Sequence, residues 1–138
     1  MRVQATDPGE KNIGLALSDE TGALARPLGV IRHVAKALDA AQVAERAEAE
    51  GAGLILVGVS YHEDGNPNRA GRRAINFAEA LREQTRLPVE LRDESLTTQD
   101  ARAARLAAGA RQKQRAGHLD AWAAAVLLQE YLDSQEKR

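Results

Sequence analysis

A chain of 138 residues with 43% hydrophobic content is one domain's worth of sequence, long enough to bury a core. It has no cysteine, which excludes disulfides, thiolate zinc sites and cysteine nucleophiles; any metal must be held by oxygen ligands or by His33, His62 and His118, whose spacing is not that of a zinc site. A net charge of −1 excludes a protein coated in basic surface.

Val3 and Ala5 alternate with polar neighbours until Asp7-Pro8-Gly9 breaks the pattern, which predicts a first strand with Asp7 just beyond it. Ile13, Leu15 and Leu17 alternate with Gly14, Ala16 and Ser18, a second strand closed by the turn Asp19-Glu20-Thr21-Gly22. A weaker strand spans Leu28 to Ile31, so the three make an antiparallel meander. Val34, Leu38, Ala41 and Ala44 recur at helical spacing until Gly51 and Gly53 end the helix. Leu54 to Val57 is continuously apolar, as a central strand covered on both faces must be. After a polar loop from Ser60 to Asn68, Ala70, Ala74, Phe77, Ala78 and Leu81 form another helical stripe. Pro88 opens a fifth strand containing Val89 and Leu91, and two Ala-rich helices follow, about Thr98 to Ala108 and Leu119 to Leu132. No internal repeat or linker interrupts residues 1–138, so a single domain is expected. The order of elements, hairpins first and βαβ units after, resembles an RNase H-like α/β fold: a mixed five-stranded sheet with helices on both faces.

Nothing at the amino terminus resembles a signal peptide, and no apolar run approaches the roughly 18 residues needed to span a bilayer, so a cytoplasmic protein with no membrane partner is expected. Charge is unevenly spread. Residues 101–119 hold no acid but carry Arg102, Arg105, Arg111, Lys113 and Arg115, and Arg69, Arg72 and Arg73 form a second cluster. Such patches on a near-neutral chain suit a polyanion, although a solvated helix face has the same composition.

Three places put an acid where an apolar element ends or where a helix presses on a sheet. They are Asp7, the pair Asp93-Glu94, and Asp120. Converging carboxylates can hold two hard cations about 3.5–4 Å apart, the arrangement that activates water for phosphodiester hydrolysis. Asp7 could simply open a turn, but Gly14 and Ala16 in the following strand leave room for a ligand or another backbone to approach. Asp93 and Glu94 could be helix-capping acids, a role that Asp100 already fills; Glu94 is preferred as the ligand, with Asp93 the alternative. Asp120 shares an apolar stripe with Ala124, Leu127 and Tyr131, where a carboxylate needs a cationic partner, either a metal or an arginine. Lys11, Arg69, Arg72, Arg73, Arg111, Lys113 and Arg115 are the expected phosphate contacts. His118 is a candidate proton carrier. With one Trp, two Tyr and one Phe, recognition should rest on backbone shape rather than on stacked bases.

Four ordered motifs carry a family resemblance: Asp7-Pro8-Gly9-x-Lys11-x-Ile13-Gly14-x-Ala16; Val57-Gly58 with a distal Asp64-Gly65; Asp93-Glu94-Ser95-Leu96-Thr97-Thr98; and Leu119-Asp120-x-x-Ala123-Ala124. Together they resemble the YqgF/RuvX family from Met1 to about Asp133. The resemblance implies a RuvC-related RNase H-like fold and Mg²⁺- or Mn²⁺-dependent phosphodiester cleavage, with a two-metal site. It also implies a role in 5′-end processing of pre-16S ribosomal RNA during ribosome biogenesis, or alternatively in resolving Holliday junctions. The implied partners are structured nucleic acid, either an rRNA precursor or branched DNA, and ribosomal particles. The implied catalytic and metal-binding acids are Asp7, Glu94 and Asp120. Three positions depart from the family pattern: Ser95 and Asn12 stand where arginine is usual, and Ser60-Tyr61-His62-Glu63 where a proline follows the Val-Gly strand. Junction resolution would require a symmetric homodimer. A non-catalytic RNA-binding assembly factor is a further alternative. An actin-like ATPase shares the sheet topology but closes two such domains around its nucleotide.

Overall fold

The computed structural model describes residues 1–94 and 119–136. The helix expected over Thr98–Ala108 lies outside the described residues, as do Asp100, Arg111, Lys113, Arg115 and His118. The strands are β1 (Arg2–Pro8), β2 (Asn12–Ser18), β3 (Ala25–Arg32), β4 (Ala52–Ser60) and β5 (Val89–Glu94). They form one sheet in the order β3-β2-β1-β4-β5. Short turns keep β1, β2 and β3 antiparallel, while β1 with β4 and β4 with β5 are parallel, so a helix must cross between them. Helices α1 (Lys36–Ala49) and α2 (Arg69–Gln84) make those crossovers, and α3 (Leu119–Glu136) follows. This is the mixed five-stranded sheet expected from the order of elements.

The helices divide two apolar clusters between them. Ile13, Leu15, Leu17, Ile55, Val57 and Val59 pack with Val43, Phe77 and Leu81 on the α1–α2 face. Val3, Ala5, Ala16, Leu54 and Leu56 pack with Ala124, Leu127, Leu128 and Leu132 on the α3 face. Gln129 fastens α3 down: its amide donates to the Ala23 carbonyl at 2.9 Å and accepts from the Ala25 amide at 2.9 Å. At the neighbouring turn the Asp19 carboxylate accepts from the backbone amides of Ala23 and Leu24, which holds its pKa below the ordinary carboxylate value.

Three details differ from the sequence expectation. First, β1 continues through Asp7 and Pro8, which pair with Gly14 and Ile13, so Asp7 sits within a strand and not after one. Second, α1 buries Asp39, Ala40, Val43, Ala44 and Ala47, whereas Val34 and Leu38 are 69% and 58% exposed. Residues 40, 43, 44 and 47 form their own helical stripe, and Asp39 is drawn inward because its carboxylate accepts the Val34 amide at 3.1 Å and contacts His33. Third, the loop after β4 is ordered as a hairpin, with Tyr61 bridged to Pro67 and the His62 amide donating to the Asn66 carbonyl at 2.7 Å.

β1 is the central strand, and the polar residues that alternate with Val3 and Ala5 are fully buried. Gln4 Nε2 donates to the Val43 carbonyl of α1 at 3.2 Å, which gives one buried polar group a partner. Gln4 Oε1 and Thr6 Oγ1 have none among the described residues. A buried hydroxyl without a partner costs about 1–3 kcal/mol in desolvation, and an apolar group of the same shape removes that cost. Thr6→Val is therefore expected to raise the unfolding free energy by about 1 kcal/mol, read as a higher denaturant midpoint at unchanged slope.

Candidate active site

The site is built on one close backbone contact. Gly14 lies opposite Asp7 in the β1–β2 ladder. A Cβ on Gly14 would fall 1.9 Å from the Asp120 carbonyl oxygen and 2.9 Å from the Ala121 nitrogen. Only a residue without a side chain lets the first turn of α3 rest there. The contact seats Asp120 over the residue paired with Asp7, and both acids are half-buried. The room that Gly14 and Ala16 leave is thus taken by a helix backbone. Gly71 repeats the device on the other face: its Cβ would meet the Ser60 carbonyl oxygen at 2.0 Å, so α2 presses on the end of β4. There the Asn68 carboxamide oxygen caps the helix by accepting from the Gly71 amide at 2.8 Å and from the Ser60 hydroxyl at 2.7 Å.

Register separates the two candidate acids of β5. Thr6 is level with Val57, and Val57 with Leu91. Glu94 therefore stands two residues further along the sheet than Asp7, roughly 6–7 Å, at the same open end. Strand residues two apart share a face. Glu94 belongs to the set of Glu90 and Arg92, and Arg92 meets the Tyr131 ring of α3 at 5.7 Å from its centroid. Asp93 belongs to the set of Val89, which packs in the α1–α2 cluster, and is exposed. The Glu94 position is thus on the Asp7–Asp120 side of the sheet and Asp93 on the other.

Among the described residues no three histidine, aspartate or glutamate side chains form a ready cage for a metal ion. The donor chemistry still fits a hard divalent cation, because all three acids are carboxylates and the Asp120 backbone is seated over the residue paired with Asp7. Of the expected phosphate contacts, Lys11 is exposed on the β1–β2 turn beside this site. Arg69, Arg72 and Arg73 open α2 on the opposite face, with Arg73 reaching Glu10 at 3.3 Å. Beside those arginines stand residues for which the sequence offered no functional signal: His33, Lys36 and Asp39. His33 and Asp39 are six residues apart across a strand–helix junction, where no periodicity announces a contact.

A carboxylate-bearing mixed sheet flanked by helices on both faces is the RNase H-like arrangement of the RuvC type. RuvC of Thermus thermophilus in complex with a Holliday junction substrate has the same fold at TM-score 0.64 and 16% identity, covering 99% of this chain and 96% of its own. The fowlpox virus resolvase bound to Holliday junction DNA has it at TM-score 0.60 and 12% identity, covering 98% and 99%. Residues 1–134 match the family described as "RuvX: Holliday junction resolvase", and the chain belongs to that family. Relatives include proteins named "Putative pre-16S rRNA nuclease". One from Anaeromyxobacter sp. is 39% identical over 135 residues, 98% of each chain; one from Acidiphilium cryptum is 37% identical over 132 residues, 96% of this chain and 84% of its own. Among the described residues no helix is long and apolar enough to cross a membrane.

The Gly14 contact yields a direct test. Gly14→Ala must push the start of α3 off the sheet, which is expected to cost about 1–3 kcal/mol of stability. Any nuclease activity should fall further than the folded fraction does, because Asp120 moves relative to Asp7. Denaturant unfolding alongside activity per folded molecule separates the two effects.

Proposed function

We propose that the chain is a divalent-metal-dependent endonuclease that hydrolyses phosphodiester bonds in the 5′-end processing of pre-16S rRNA, acting in the cytoplasm on precursor RNA or ribosomal particles. The observation that carries the reading is the seating of Asp120 on Gly14 beside Asp7, with the Glu94 position on the same face at the same sheet end. The substrate follows from family membership and from the names of relatives that match nearly end to end.

In this reading Asp7, Glu94 and Asp120 are the carboxylates that would hold Mg²⁺ or Mn²⁺. The metal ions supply an activated water and charge stabilisation of the leaving oxygen. The protein's own contribution is position. Asp7 is paired with Gly14 on one edge of β1, and its neighbour Thr6 is paired with Val57 on the other. Asp120 is fixed by the Gly14 seat and, nine residues on, by the Gln129 clamp. Lys11 meets the phosphate next to the cut as a point charge without specifying a base. Scarce aromatic residues favour recognition of backbone shape.

With Mn²⁺ or Mg²⁺, the chain is expected to cut a labelled pre-16S rRNA at its 5′ side and leave a four-way DNA junction whole, while Asp7→Asn still binds RNA but does not cut. Symmetric nicking of the junction would transfer the activity to junction resolution, which requires a homodimer. Binding of both substrates with cleavage of neither would establish a non-catalytic RNA-binding factor. Glu94→Gln should lower the cleavage rate by roughly 100-fold or more, and Asp93→Asn should leave it within a few-fold, read in single-turnover assays.

A further inference from the structure

On the far side of the β1–β2 turn from the carboxylates, an open cleft of about 530 Å³ separates the start of α1 from the start of α2. Its charged lining is Lys36, Arg69, Arg72 and Arg73 against Glu10 and Asp39, with His33 between them. Asp39 is buried and engaged, while Glu10 is exposed and pairs with one of the arginines. Glu10 pairs with Arg73 at 3.3 Å, and Asp39, whose side chain is 2% exposed, accepts the Val34 amide and contacts His33 Nδ1. Lys36 and Arg69 make no ion pair among the described residues, and the Arg72 guanidinium donates only to the Pro67 carbonyl at 3.1 Å. Four cations against one exposed acid make the accessible charge of the cleft cationic on balance.

His33 ties the cleft to the active-site turn. Its main-chain amide donates to the Lys11 carbonyl at 2.8 Å, which stitches it to the turn that carries the site. The Asp39 carboxylate accepts from Nδ1, which fixes the ring at the mouth of the cleft. Arginine forks and a lysine around an open cleft are the chemistry of phosphate recognition.

We propose that this cleft is a second phosphate site, which takes a backbone phosphate of the nucleic-acid strand that leaves the carboxylates and passes over the β1–β2 turn. The inference rests on the nuclease reading for the direction of that strand, but not for the anion chemistry. The turn is only Gly9 to Lys11 between the paired strands, closed by the Gly9 amide donating to the Asn12 carbonyl at 2.9 Å, so one strand can reach both faces. A free mononucleotide carries the same phosphate, and the test tells the two apart.

The test uses the whole chain and the double variant Arg69→Gln/Arg72→Gln, whose two positions are exposed, so the fold is kept. Fluorescence anisotropy without divalent metal would follow binding of a precursor RNA, of the same RNA shortened by its flanking nucleotides, and of AMP, over a range of salt. For the long RNA the variant should bind roughly 10-fold more weakly at moderate salt. Its slope of log affinity against log salt should drop by about 0.7 for each phosphate that the cleft no longer holds, and the short RNA should not distinguish variant from wild type. Equal weakening of both RNAs, or of neither, overturns the proposal. AMP binding that disappears in the variant while the RNA slopes stay unchanged also overturns it, and makes the cleft a nucleotide site. Because the readout is binding, a chain that shows the slope change yet never cuts would refute the nuclease reading alone.

Discussion

Contact between the Asp120 carbonyl and Gly14 governs the rest of the structure's function. Two backbones meet where any side chain would overlap an oxygen at 1.9 Å. A helix that packs on a sheet through side chains alone stands off by their combined length, and an aspartate on its first turn would hang over the sheet instead of joining a neighbour in the ladder. Removing one Cβ lets α3 come down on β2, and the Asp120 backbone settles over the residue paired with Asp7. The apolar stripe of Ala124, Leu127, Leu128 and Leu132 and the Gln129 clamp then keep the helix in that seat. Burial drives the helix onto the sheet, and glycine decides how near it comes.

The same sheet end organises the opposite face. Gly71 brings α2 onto Ser60 just as Gly14 admits α3, so both helices begin at the edge where β1, β4 and β5 finish. Parallel strands put their carboxyl ends together there, which is where α/β sheets offer groups from distant sequence to one ligand. Asp7 and the start of α3 lie on one side and the guanidinium groups of α2 on the other, with the β1–β2 turn between them.

Much of this was legible in the residues. Asp7 and Asp120 stood out because each is an acid beside small or apolar neighbours, and Gly14 with Ala16 announced a close approach before any coordinates did. The choice between Glu94 and Asp93 was not legible, because adjacent residues in a strand differ only in face, and face depends on register with β4. The buried side of α1 was misplaced because Val34 and Leu38 look like a stripe, while the actual stripe is alanine-rich and begins beside a buried aspartate. Gln4 and Thr6 imitated a solvent-facing edge, since their burial depends on β1 being central, which only long-range pairing decides. The His33–Asp39 contact left no trace in spacing at all.

The central claim is that Asp7 and Asp120 belong to one metal-binding set. Titration of Mn²⁺ into the protein, followed by electron paramagnetic resonance of the free ion, tests it without any substrate. Wild type should take up Mn²⁺, and Asp7→Asn and Asp120→Asn, each folded, should both lose that uptake. Undiminished Mn²⁺ binding by either folded variant would contradict the account.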